Sequence, residues 1–302
     1  MVPEGLKVTF NIGDFKGFWG VFGGATVKSL RKNPQVCFPP PRPVTQSPAS
    51  YGLARISHRA RTTTNYGYDS TAGSGTWVYL LGKGVLTTHT DLSPRVIFGY
   101  NSVDTISSDQ SGHGTAVAGV IAGTIHGVAE KTSIIAVKVL DANGSGATSG
   151  VIACTNWSVN DIVSKGRVGE ATIVMPLGGP CSAAMSNAVE QAVQIVHRQT
   201  QATPPPAPAP NAIVLASLAS TSDIRSSFSN YGPAVGFFAP GENVLTCWIG
   251  SDTATNTLSG TTFSMTYGAG VGVHLMALQN FASPVALAAR MNDYRVAAGD
   301  GE

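Results

Sequence analysis

The chain has 302 residues, of which 43% are hydrophobic and 12% charged, with a formal net charge of +2. This is enough for one large core, or a core domain with a small appendage. The near-neutral balance argues against a basic surface for nucleic acid or membrane. The opening MVPEGL has neither a basic region nor a continuous apolar stretch, so no signal peptide is expected and the location defaults to intracellular. No apolar run approaches the roughly 20 residues of a membrane span. The four cysteines, Cys37, Cys154, Cys181 and Cys247, show no CxxC or metal-like spacing, and free or buried thiols are expected rather than a disulfide framework.

Residues 1–38 read as a compact αβ piece: Lys7-Val8-Thr9-Phe10 alternates, Gly-rich turns follow, and Ala25, Val27 and Leu30 recur at helical spacing. The run FPPPRP at 38–43 cannot continue a helix or a central strand, and reads as a linker, either a stiff spacer or a cleavable junction. From Tyr51 strands and helices alternate. Residues 77–81 are a short apolar strand, 115–122 a helix after a Gly-His-Gly turn, 134–140 a strand and 148–163 a helix. A strand at 171–177, an amphipathic helix at 182–196 and a strand at 212–219 follow. The order implies a parallel sheet with helices on both faces. One segment breaks the alternation: QTQATPPPAPAP at 199–210 reads as a loop, where a strand would be expected.

Gly112-His113-Gly114-Thr115 alone signals little more than a turn. Its setting carries more: SGHGTAVAGVIAGT, GVAEKTSIIAVKVLDANGSGATSGVIA, SSFSNYG, FFAPGENVL and LSGTT follow in order between Tyr51 and Leu278. Together they resemble the subtilisin family of serine peptidases (S8), in its proteinase K-like branch. The resemblance implies an α/β fold, a three-layer sandwich around a parallel sheet, over 45–302, with its C-terminal end shortened. The stretch IGDFKGFWGVFGGATVKSLRKNPQV resembles the last half of the family's inhibitory propeptide, so 1–44 is expected to be a small α+β propeptide-like segment with a Pro-rich linker.

The same resemblance exposes departures. A serine peptidase needs a hydroxyl nucleophile, an imidazole base, a carboxylate to orient it and donors for the oxyanion. His113 matches the base. The carboxylate position in VYLLGKGV is Gly82, followed by Lys83, whose ammonium would disfavour a protonated His113 if it pointed inward. An ungapped match of SGTTFSMT puts Thr262 at the nucleophile, while a match shifted by two residues offers Ser264. The oxyanion Asn falls within 194–210, which is shortened and holds no Gly-Asn. Gly144-Ser145-Gly146 matches an edge strand that pairs with an extended peptide, and Leu177-Gly178-Gly179 matches the opposite wall, with Pro176 removing one donor. Turn-making alone accounts equally well for these glycines.

The expected function is therefore a subtilisin-like endopeptidase homologue without ordinary proteolysis. The alternatives are residual activity using His113 with Thr262 or Ser264, or a cleft recruited for non-proteolytic chemistry. The partner expected is an extended peptide or the chain's own N-terminal segment, with the protein a monomer. No cofactor signature is present, and Gly236 stands where the family has a calcium-binding aspartate, so no metal is expected there.

Overall fold

The computed structural model describes residues 6–12, 15–20, 42–58, 62–179, 182–195, 197–201, 213–220, 222–233, 235–281 and 283–293, together with Thr26, Leu30 and Ala60. The chain divides into two compact units, Met1–Pro41 and Arg42–Glu302. In the first, β1 (Leu6–Ile12) pairs antiparallel with β2 (Phe15–Gly20). The alternation at 7–10 foretells β1, and β2 is its unforeseen partner. Most of the expected helix at 25–31 lies outside the described residues.

The larger unit opens with β3 (Pro43–Gln46), which pairs antiparallel with β4 (Tyr66–Asp69) across α1 (Tyr51–Ser57). Pro43 is thus the first residue of a strand and not the end of a spacer. This is a place where a missing N–H is tolerated. The main sheet comprises β5 (Trp77–Gly82), β6 (Val96–Asn101), β7 (Ser133–Lys138), β8 (Ala171–Met175), β9 (His197–Gln201), β10 (Ile213–Leu218) and β11 (Phe237–Pro240). These seven strands lie in the order β11-β10-β9-β8-β5-β7-β6, all parallel. Strand β9 corrects the loop reading at 199–201: the missing strand is present between β8 and β10, and its polar sequence HRQTQ hid it.

Helices α2 (His113–Ala122), α3 (Thr148–Ser164), α4 (Ala183–Ile195), α5 (Thr261–Leu278) and α6 (Pro284–Asp293) complete the unit, with a hairpin of β12 (Val244–Cys247) and β13 (Thr255–Leu258). Side chains alternate across the sheet. Val78, Leu80, Ile134 and Ala136 join one core with α2 and α5. Tyr79, Leu81, Ile135 and Val137 join another with α3 and α4. Because both faces are covered, the strands read as unbroken apolar runs, and the result is the expected three-layer α/β sandwich. Helix α2 begins two residues earlier than its sequence pattern suggests, at His113 itself.

Candidate active-site cleft

The cleft lies where β5 ends between β7 and β8, the edge at which open parallel sheets place their sites. Gly82 is the last residue of β5, and its carbonyl accepts hydrogen bonds from the N–H groups of Val139 (2.8 Å) and Leu140 (3.2 Å). A Cβ added there would meet, beyond the two chain neighbours and among the described residues, nothing nearer than Pro176 Cγ at 4.0 Å. Beneath it, the buried Lys138 donates from Nζ to the carbonyls of Lys83 and Leu140, both at 3.2 Å, and pairs with Asp104 at 3.6 Å.

His113 is the first residue of α2. Its N-terminus is organised by Asp109, a buried carboxylate that accepts from the N–H groups of Ser111 (2.9 Å), Gly112 (3.0 Å) and Thr115 (2.8 Å) and from the Thr115 hydroxyl (2.7 Å). A carboxylate is favoured there because the first N–H groups of a helix lack intrahelical acceptors. Thr115 Oγ1 also accepts from Leu86 N at 3.0 Å, tying the stretch after β5 to the helix. Gly112 is left-handed at φ +86° with Trp248 packed where a side chain would stand. A Cβ at Gly114 would overlap the carbonyl of Gly84, so the two segments touch backbone to backbone. Sequence reading missed Asp109, whose signal is an acidic residue six positions before the Thr of the Gly-His-Gly-Thr turn.

Burial pushes the His113 pKa down, the Lys83 ammonium pushes it further, and Asp109 opposes both. The ordinary imidazole value is near 6.5, so the neutral ring is favoured at neutral pH. The Lys83 side chain runs toward the turn after β7, with Nζ 3.2 Å from the point a Cβ of Gly144 would occupy. Asp141 shapes that turn: its Oδ1 accepts from Asn143 N (2.9 Å) and Ser145 N (2.8 Å), and its N–H donates to Ser145 O at 2.9 Å. Gly144 has φ +84°, so the GSG segment is a closed turn at this point. Across the cleft, Leu177 is half-buried and Gly178 and Gly179 are exposed.

Thr262 is half-buried at the second position of α5, which packs on α2. Its carbonyl accepts from the Thr266 hydroxyl at 2.6 Å. Ser264 is fully buried and its Oγ has no hydrogen-bond partner among the described residues. It faces Gly241 and Ser217, since a Cβ at Gly241 would overlap both hydroxyls. Of the 194–210 segment, residues 202–210 and the side chains of β9 lie outside the described residues. Gly236 donates its N–H to Val214 O at 3.0 Å and brings no carboxylate to the calcium position the family implies. No group of three or more His, Cys, Asp or Glu suited to a metal occurs among the described residues. Cys154 and Cys247 are free and buried, while Cys37 and Cys181 lie outside the described residues.

The family model of the peptidase S8 subtilase family matches residues 73–293. The chain belongs to the subtilase family. Alkaline protease 1 of Aspergillus clavatus is 40% identical over 96% of this chain and 75% of its own length. The alkaline proteinase of Hapsidospora chrysogena is 41% identical over 95% and 77%. Subtilisin-like protease 5 of Arthroderma gypseum is 39% identical over 91% and 72%. Among solved structures, a cold-adapted subtilisin-like serine proteinase superimposes with a TM-score of 0.75 at 36% identity, covering 82% of this chain and 92% of that one. The chain is a subtilisin-like serine protease homologue of proteinase K-like type.

Proposed function

We propose that this subtilase homologue has lost ordinary endopeptidase activity and keeps its cleft as a holder of extended peptide. The supporting observation is the end of β5: Gly82 provides no carboxylate, and the adjacent Lys83 places a cation where its field lowers the His113 pKa. A peptidase histidine must become an imidazolium as it takes the nucleophile's proton. Here burial and Lys83 both oppose that step. Loss of the orienting carboxylate costs a related triad about 10⁴ in turnover. The nucleophile position adds to the impairment, because the branched Thr262 is stiffer about χ1 than serine. Buried Ser264, turned to Gly241, is poorly disposed to replace it.

A fluorophosphonate probe tests this on the purified full chain. No labelling above a His113→Ala control is expected, and mass spectrometry is expected to find residues 1–44 still attached. Labelling abolished by His113→Ala, or removal of the N-terminal segment by the isolated protein, would overturn the reading.

A further inference from the structure

Four observations meet at the mouth of the cleft. A Cβ added to Gly82 would meet, beyond its two chain neighbours and among the described residues, only Pro176 Cγ at 4.0 Å. The half-buried Lys83 has no ion-pair or hydrogen-bond partner for its ammonium among the described residues. The neighbouring carboxylates are committed elsewhere: Asp109 to five donors of Ser111, Gly112 and Thr115, Asp104 to Lys138, and Asp141 to the turn it closes. The contact between Gly84 and Gly114 fixes the β5 end against the residue following His113. Where a peptidase of this architecture would carry a negative charge, this chain therefore carries an unneutralised positive one. Partial burial makes such a cation costly until an anion arrives.

Resting on the peptide-holding reading above, we infer that this end of the cleft is a carboxylate site: an acidic group of the bound peptide sits opposite Lys83, in the space beside Gly82, with His113 next to it. The ligand class is an extended peptide bearing a carboxylate, supplied by an internal acidic side chain or by the chain terminus. A charge-assisted hydrogen bond to an ammonium in a sheltered site is stronger than one between neutral groups, so a neutral amide in the same place binds more weakly.

Fluorescence anisotropy on the full chain with labelled alanine-leucine peptides tests this, using three peptides. One has a central Glu and an amidated end, one a central Gln and an amidated end, and one a central Gln and a free terminal carboxylate. At least one carboxylate-bearing peptide is expected to bind about tenfold more tightly than the Gln amide, and which one does so identifies the source. The preference should shrink with salt, vanish in Lys83→Met and survive in Lys83→Arg, a pair that separates charge from folding. Equal binding of all three peptides overturns the carboxylate site and leaves the peptide groove standing. No binding of any peptide overturns the groove and the carboxylate site with it.

Discussion

At the end of β5, a Cβ added to Gly82 would meet, beyond its chain neighbours and among the described residues, only Pro176 Cγ at 4.0 Å, whereas just before α2 the buried carboxylate of Asp109 accepts five hydrogen bonds. Both segments border His113, and they touch each other through Gly84 and Gly114. Asp109 is held through its side chain, whereas Gly82 is held through its backbone alone. Beyond its chain neighbours, a Cβ at position 82 would meet no described residue closer than 4.0 Å, so a small side chain there displaces little packing. Removing Asp109 would strand several buried N–H groups. A side chain that supports no neighbour can be exchanged at little structural cost, whereas one that caps a helix cannot.

Asp109→Ala should break that contrast most severely. Three backbone N–H groups and two hydroxyls would lose their acceptor, and a loss of about 3 to 5 kcal/mol is expected in chemical denaturation. Gly114→Ala comes next. Its methyl group meets the Gly84 carbonyl, which cannot yield without moving the strand end, and about 2 to 3 kcal/mol should be lost.

Lys83→Met sharpens the electrostatic side of the comparison. Without the ammonium, the His113 pKa should rise toward its ordinary value, as followed by NMR titration of the ring. The sign for stability follows from proton counts. With a folded pKa below the unfolded value of about 6.5, the unfolded chain binds more protons in the window between them. Stability then falls as pH drops through that window, and the variant should show a smaller fall from this group. Gly82→Asp should have the smallest effect on stability, within about 1 kcal/mol, because a Cβ there meets no described residue beyond its chain neighbours closer than 4.0 Å. Its informative readout is again the histidine, whose pKa should rise beside the new carboxylate.

The layers of the fold were legible because strands buried on both faces, such as 77–82 and 171–175, are continuous apolar runs between helical patterns. Strand β9 was not, since HRQTQ has no apolar signature and takes its place from parallel pairing with β8 and β10. In the site, Gly82, His113 and Thr262 were reached by position within family motifs. The direction taken by Lys83 and the hydrogen bonds of Asp109 were not legible, because both depend on which loop lies beside which. Ser264 illustrates the limit of motif matching: a hydroxyl two residues from another in sequence faces Gly241 and Ser217 in a sealed interior.

The pairing of β3 with β4 bears on how the N-terminal segment could be detached. Pro43, Val44, Thr45 and Gln46 stand opposite Asp69, Tyr68, Gly67 and Tyr66 in register. Scission between Val44 and Thr45 would fall in the middle of this ladder, where the backbone is already extended but its hydrogen-bonding edge toward β4 is occupied until the strand is peeled from its neighbour. Proteolytic release at that bond is therefore gated by local unzipping of four residues, and its rate would report how often that edge opens.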